Sequence, residues 1–285
     1  MESVRFKSEG LHLSGILQIP ERTTGGKLPA IIILHGFGGN KEGAQGKWAT
    51  ETFLNWGYVC LQFDFRGCGQ SEGVRGRVVC QEEVRDVQAA IDFLLTREEV
   101  DPSRIAVCGS SLGAAVAIFT AGIEKRIAAV IAQGGWGSGS RKFQLQHPLP
   151  DAWPKFLNML AEGVRHRETT GESLMVSRFD VVPVPERLRP MLQDGLMEFT
   201  AETPLSMFLF QPESVIASIS PRPLLLLHAG NDSVTSVNES ISLYQHAKSP
   251  VELYIIDDAD HFMFAESNPR VVQVVSHWLQ RYFPI

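Results

Sequence analysis

The stretch Gly109-Ser110-Ser111-Leu112-Gly113 lies where an apolar run of strand type changes into an alanine-rich helical segment. The strand-like run is Arg104–Cys108, and the helical segment is Ala114–Ala121. Glycine on both sides of such a turn lets the chain bend tightly and holds the central serine at the tip with its hydroxyl exposed. The pattern Gly-x-Ser-x-Gly alone occurs by chance. In this strand–turn–helix context it predicts that Ser111 is a nucleophile rather than a helix N-cap.

Apolar runs of strand type recur along the chain, and helical patterns separate most of them. The strand-like runs are Leu11–Ile19, Ala30–Leu34, Tyr58–Phe63, Arg104–Cys108, Ala128–Ala132, Pro223–His228 and Val251–Ile256. The further helical patterns are Trp48–Trp56, Val79–Thr96, Asn238–His246 and Pro269–Tyr282. Continuous apolar blocks indicate burial on both faces of a mostly parallel sheet. The fold class is therefore predicted as doubly wound α/β, with the segments up to Ile19 pairing antiparallel at one edge.

The alternation of strands and helices is interrupted once, between Gly134 and Pro221. This part shows no convincing strand and has helix-like pieces at Ala152–His166 and Pro185–Phe199. A segment of this length inside an alternating pattern indicates a folded insertion rather than a loop. We expect an α/β core formed by residues 1–133 and 222–285, with residues 134–221 forming a mostly helical cap over the carboxyl ends of the strands.

Composition and charge exclude several classes of function. The chain has 285 residues, 44% of them hydrophobic, and a formal charge of −6. Without a run of lysine or arginine, no nucleic-acid partner is expected. Neither a signal-peptide core nor a stretch near the roughly 20 apolar residues of a membrane span is present in the sequence. Its four cysteines lack the paired spacing of a zinc site, so we expect no metal or other cofactor and a reduced, cytoplasmic location.

A serine nucleophile needs a base, and that base needs an orienting acid. Asp232 follows the strand-like run that ends at His228, and His261 follows the last run. Both therefore emerge at the sheet edge where Ser111 is expected, in the chain order serine, acid, histidine. Asp257, Asp258 and Asp260 are alternative acids because they lie closer to His261 in sequence. The other histidines are expected in packing or solvated roles, His228 among them as a buried strand-end residue.

Acyl transfer also needs hydrogen-bond donors directed at the oxygen that becomes negative. The backbone N–H of Leu112, next to the nucleophile and at the positive end of a helix, is one expected donor. The second is expected from the glycine-rich loop His35–Asn40, with Phe37 as the candidate. His35 itself is expected to hydrogen-bond this loop rather than to act as a base.

These motifs together resemble the α/β-hydrolase fold superfamily. The matching segments are His35–Gly39, Asp64–Ser71, Gly109–Gly113, Gly230–Asp232 and Asp260–His261. The chain is similar to the branch that holds cinnamoyl and feruloyl esterases, dienelactone hydrolase-like proteins and serine aminopeptidase-like hydrolases. The resemblance implies Ser111 as nucleophile, Asp232 and His261 as its partners, and the amides of Phe37 and Leu112 as the oxyanion hole. Dienelactone hydrolases carry cysteine at the nucleophile position, so the serine here argues against that activity.

The insertion is rich in bulky apolar residues. Most of them are expected to form the insertion's own small core and to dock it on the sheet, and the remaining few to line a hydrophobic pocket over Ser111. Trp136 and Phe262 are the expected pocket residues, and the expected partner is a small-molecule carboxylic ester, either small or aromatic. The same apolar residues are equally compatible with a homodimer interface. An aminopeptidase or amidase would need a cap carboxylate to bind the substrate ammonium, and the candidates are Glu162, Glu172, Glu186, Asp194, Glu198 and Glu202. A C–C bond hydrolase and a non-enzymatic small-molecule sensor remain further alternatives.

Overall fold

An eight-stranded mixed sheet forms the centre of the protein. The computed structural model describes residues 1–21, 26–265 and 268–285. The strands of this sheet are β1 (Glu2–Ser8), β2 (Leu11–Gln18), β3 (Leu28–Leu34), β4 (Val59–Phe63), β5 (Val100–Ser110), β6 (Ile127–Gln133), β9 (Leu224–Ala229) and β10 (Val251–Ile256). Their order in the sheet is β1-β2-β4-β3-β5-β6-β9-β10. The six neighbouring strands β4, β3, β5, β6, β9 and β10 pair in parallel. Strand β2 pairs antiparallel with both β1 and β4. The predicted parallel sheet with an antiparallel edge is confirmed.

Helices cover both faces of the sheet. The α-helices are α1 (Ala44–Asn55), α2 (Cys80–Leu94), α3 (Leu112–Ile123), α4 (Gly139–Gln146), α5 (Ala152–Thr170), α6 (Arg178–Val181), α7 (Glu202–Leu209), α8 (Val237–His246) and α9 (Pro269–Tyr282). In β3, Ile31 and Ile33 pack with α1 and α9, whereas Ile32 and Leu34 pack with α2 and α3. Burial on both faces explains why this strand is a continuous apolar block rather than an alternating one.

The insertion at residues 134–221 differs from the sequence prediction in two respects. It contains a two-stranded antiparallel sheet, β7 (Met175–Ser177) with β8 (Glu198–Thr200), where no strand was expected. Its segment Pro185–Phe199 is not an α-helix: Glu186–Leu192 is a 3₁₀ helix with Pro190 inside it, and β8 follows. Proline removes an amide donor and clashes with the preceding turn, so an α-helix cannot continue there. Strands of three residues are too short for a hydrophobic period to reveal them.

The insertion packs onto the sheet through a continuous apolar core. Phe143, Phe156 and Phe199 of the insertion are fully or almost fully buried and belong to the same cluster as Leu34 and Leu112. The predicted helix Ala152–His166 is present as α5, which runs on to Thr170 and ends at Gly171. This packing joins residues 134–221 to the core on one face of the sheet. Among the residues described, none of the helices combines the length and apolarity that a membrane span requires.

Candidate active site

Ser111 occupies a strained turn between the end of β5 and the start of α3. Its φ of 56° and ψ of −117° lie in a region that non-glycine residues rarely adopt. The flanking glycines are required by close packing rather than by a positive φ. A Cβ on Gly109 would lie 2.2 Å from the carbonyl oxygen of Gly113, and one on Gly113 would lie 2.6 Å from that of His35. Gly109 is thus packed against the start of α3, and Gly113 against the end of β3, so closely that only hydrogen fits at either position.

His261 connects Ser111 with Asp232 by hydrogen bonds. Its Nε2 lies 3.0 Å from Oγ of Ser111, and its Nδ1 lies 2.8 Å from Oδ2 and 3.0 Å from Oδ1 of Asp232. The imidazole is buried, and its main chain is also held in place, because the carbonyl of His261 accepts a 2.9 Å bond from Nε2 of Gln133. The carbonyl of Gln133 in turn accepts from the amide of Ser111 at 2.8 Å. One glutamine at the end of β6 therefore positions both residues.

The carboxylate of Asp232 is buried and well supplied with donors. Its Oδ1 accepts from the amides of Val234 at 2.9 Å and Thr235 at 2.7 Å, and Nε2 of His228 lies 3.4 Å from Oδ2. Burial by itself raises the pKa of Asp232. The charge of His261 and the hydrogen bonds from His228 and His261 outweigh burial and bring the pKa well below its ordinary value. The carboxylate therefore stays ionised and can hold the imidazole in the tautomer that presents Nε2 to Ser111.

The alternative acids occupy other positions. Asp260 accepts the backbone N–H of His261 at 2.7 Å and the hydroxyl of Ser233 at 2.9 Å, and it also pairs with Arg187. Asp258 lies 3.6 Å from Arg270 at the surface. In the described parts of the chain, Asp232 is the carboxylate that contacts the imidazole of His261. Asp260 fixes the backbone of the histidine instead of its ring.

The loop after β3 brings Gly36 against Ser111, and Phe37 follows Gly36 in this loop. Gly36 approaches the serine so closely that a Cβ there would lie 3.3 Å from Cβ of Ser111. Within residues 1–21, 26–265 and 268–285, the backbone N–H groups of Phe37 and Leu112 form no hydrogen bond. His35 supports the loop, with Nδ1 2.8 Å from the Gly36 carbonyl oxygen and Nε2 accepting from the Phe65 amide at 3.2 Å. Burial lowers the pKa of His35, which favours the neutral ring that these bonds need.

Arg178 is a site residue that the sequence analysis did not single out. Its buried guanidinium donates from Nη2 to the Phe37 carbonyl at 2.7 Å and from Nη1 to the Leu196 carbonyl at 2.9 Å. The aromatic rings of Phe37 and Phe199 stack at 4.1 Å beside it. Arg178 comes from α6 of the insertion, so no local motif around Phe37 could have indicated it.

A cavity of about 250 Å³ lies next to Ser111 and His261. Phe262 lines it, and the Phe262 ring lies 5.2 Å from that of His261. Trp136 does not line it, which corrects the sequence prediction. The chain after β6 passes close to α3, since a Cβ on Gly135 would lie 2.9 Å from Cβ of Ala114. The indole is thereby buried in the core, with Nζ of Lys142 4.6 Å from its ring centroid.

The described residues include no group of three or more histidine, cysteine, aspartate or glutamate side chains that could hold a metal ion. The cysteines are buried free thiols, and burial raises the pKa of each. They are therefore poor nucleophiles and poor metal ligands at neutral pH.

The chain is similar to known proteins in sequence and in fold. Residues 27–268 match the family described as "Serine aminopeptidase, S33". The chain is 26% identical over 280 residues to the thiohydrolase aneE of Aspergillus aculeatus, covering 89% of this chain and 83% of that protein. It superposes on the alpha/beta hydrolase GrgF from Penicillium with a TM-score of 0.82 at 21% identity, over 99% and 98% of the two chains. Est1E from Butyrivibrio proteoclasticus, solved with ferulic acid, gives a TM-score of 0.69 at 19% identity over 98% of both chains. At these identities the two structural likenesses establish the fold.

Proposed function

Since the chain belongs to the serine aminopeptidase S33 family of α/β hydrolases, we propose that this hydrolase cleaves small or aromatic carboxylic esters through an acyl-enzyme on Ser111. One observation carries the proposal. An unbroken series of hydrogen bonds runs from Oγ of Ser111 through His261 to the ionised Asp232, at the wall of a largely apolar cavity. This arrangement supplies a nucleophile, a base and an orienting acid in one place.

The reaction has two chemical steps. Oγ of Ser111 attacks the ester carbonyl carbon while its proton moves to Nε2 of His261, and the C=O π pair moves onto the oxygen. The tetrahedral intermediate collapses when its C–O bond to the alcohol breaks, and Nε2 returns the proton to the departing alkoxide. Water then attacks the acyl-enzyme with the same imidazole as base, which releases the acid and restores the serine. Asp232 stabilises the imidazolium in each step without taking its proton.

The backbone amides of Phe37 and Leu112 support this chemistry as an oxyanion hole. Phe37 lies in the loop after β3, and Leu112 lies at the start of α3. Their N–H groups are not used within the described structure and are available to the developing negative charge. The loss of one such donor typically lowers kcat by about 10²–10³.

A fluorophosphonate probe tests the nucleophile directly, because it reacts covalently with activated serines. We expect the wild-type protein to be labelled and to hydrolyse p-nitrophenyl esters, and Ser111→Ala to do neither. Ser110→Ala is the matched control, since the two serines are adjacent in the motif, and it should retain labelling. Labelling that persists in Ser111→Ala would overturn the assignment. Because one relative is named a thiohydrolase, thioesters of the same acids belong in the substrate panel.

An aminopeptidase is the second candidate, and the position of Asp194 supports it. Of the cap carboxylates considered from the sequence, Asp194 is the one that lines the cavity beside Ser111. A carboxylate there can bind the ammonium group of an N-terminal aminoacyl substrate. Turnover of aminoacyl p-nitroanilides that exceeds ester turnover, and that Asp194→Asn removes, would favour this activity over the esterase.

A further inference from the structure

The cavity beside Ser111 has two chemically different ends. Gln193 and Asp194 are exposed polar residues of its lining, and together with the partly exposed Asn40 we call them the polar mouth. Nδ2 of Asn40 donates to the carbonyl oxygen of Asp194 at 2.9 Å, which ties the loop after β3 to the cap. The other end runs between the sheet and α1. We call it the apolar limb, and its residues are Ile33, Gly46, Ala49, Cys108 and Phe264.

The apolar limb is enclosed by the protein core. Its four side chains, at positions 33, 49, 108 and 264, are at most 4% exposed and belong to the cluster between the sheet and helices α1 and α9. The ring of Phe264 is further fixed by stacking on Trp48 at 5.0 Å. The limb therefore offers an enclosed and largely apolar space for a hydrocarbon group. Gln45, beside Gly46, also lines the cavity, and its buried Oε1 accepts no hydrogen bond from the described residues.

Gly46 has no evident structural reason to be glycine. It lies in the first turn of α1, and a glycine in a helix costs stability relative to alanine. Its φ is not positive, and a Cβ there would lie 3.6 Å from the Lys41 carbonyl oxygen and 3.9 Å from Cγ2 of Ile33, which are ordinary contact distances. What the missing side chain provides is space in the cavity that this residue lines.

We propose that the apolar limb binds the hydrocarbon chain of the acyl group and that Gly46 sets the length of chain it accepts. The inference rests on the proposed acyl-enzyme at Ser111. The acyl group stays bound to the serine until hydrolysis and suits a closed space, whereas the alcohol must depart and suits the polar mouth.

The test compares p-nitrophenyl acetate, butyrate, hexanoate and octanoate in Gly46→Ala and Gly46→Leu. For each variant we compare kcat/KM for octanoate with kcat/KM for acetate. We expect this ratio to fall about tenfold or more in Gly46→Ala, because one methylene in a fitted pocket changes kcat/KM by at least about tenfold. In Gly46→Leu the ratio should fall further. Gly46→Ala should also raise the melting temperature, because alanine favours the helix. Lys47→Leu is the matched control, since it adds bulk to the same helix at an exposed position and should leave the ratio unchanged.

Acetate esters of alcohols of increasing length separate the two ends of the substrate. If the Gly46 variants change preference among these alcohols instead of among the acids, the limb binds the leaving group and the proposal is wrong. An unchanged acyl-chain ratio in folded Gly46→Ala overturns it as well. A wild-type protein that neither hydrolyses esters nor reacts with a fluorophosphonate would contradict the proposed function itself. That outcome is distinct from a failure of the Gly46 variants to change the acyl-chain preference.

Discussion

Arg178 donates from Nη2 to the carbonyl oxygen of Phe37 at 2.7 Å, so a residue of the insertion holds the loop that carries a proposed oxyanion donor. The guanidinium also lies 5.1 Å from the ring centroid of Phe37. Burial lowers the pKa of Arg178 to about 10, which leaves it charged at neutral pH. Within the described residues no carboxylate forms a salt bridge with it, so its positive charge is not neutralised next to the cavity.

We therefore expect Arg178→Met to lower kcat by about 10- to 100-fold, because the Phe37 amide loses its fixed position and the oxyanion loses a nearby positive charge. KM should change much less, since the effect concerns the transition state. Steady-state kinetics on one p-nitrophenyl ester check this, and Arg178→Lys should recover part of kcat because it restores the charge. If Arg178→Met lowers the melting temperature and leaves kcat unchanged, Arg178 has only a structural role.

Replacing Asp232 by asparagine should lower kcat by about 10⁴-fold, since an amide holds the imidazole of His261 in the wrong tautomer. Asp260→Asn is the matched control, because Asp260 contacts the backbone of His261 and not its ring. Its loss of kcat should stay within about tenfold. A similar loss in both variants would refute the assignment of Asp232 as the orienting acid.

Asp232 also predicts a pH dependence of stability. Its pKa is lower in the folded protein than in the unfolded chain, so the folded state binds fewer protons and gains stability as the pH rises. This contribution is complete above the unfolded pKa of about 4 and is lost as the pH falls toward the folded pKa. Melting temperatures of wild type and Asp232→Asn should differ at pH 5 to 7 and converge below about pH 4. A difference that is constant over this range would contradict the prediction.

Gly109→Ala should destabilise the protein by about 3 kcal/mol or more, because the new Cβ would lie 2.2 Å from the backbone oxygen of Gly113 and neither segment can move without disturbing the turn. Urea unfolding gives the free energy of unfolding. Gly26→Ala is the control: Gly26 has no positive φ, and no atom of the described residues lies within 4 Å of its Cβ position. If Gly109→Ala unfolds no more easily than this control, the steric explanation of the motif is wrong.

Several features of the fold and the site followed from local sequence patterns. The apolar block Ile31–Leu34 predicted a strand buried on both faces, and the structure confirms it. The two glycines around Ser111 predicted the sharp turn, although the close contact at Gly109 lies within the turn and the one at Gly113 is with the end of β3. The positions of Asp232 and His261 after consecutive strands predicted a common edge, since parallel strands all end on the same side of a sheet.

Other features could not be read from local patterns. The insertion's short strands have no detectable period, and Trp136 turns into the core because the chain at Gly135 packs against α3. His228 was expected to be a buried strand-end residue and is one, but its approach to Asp232 depends on the turn that follows β9. The contact of Arg178 with Phe37 joins residues that are 141 positions apart.

The sequence by itself determined the α/β architecture, the turn at Ser111 and the edge where the polar side chains gather, because hydrophobic periodicity and glycine sterics act over a few residues. Only the tertiary structure decided which aspartate faces the ring of His261, which residues of the insertion reach the cavity, and that Gly46 of α1 lines it. Those outcomes depend on contacts between distant segments, whose distances are fixed by the packing of the whole chain rather than by any local pattern.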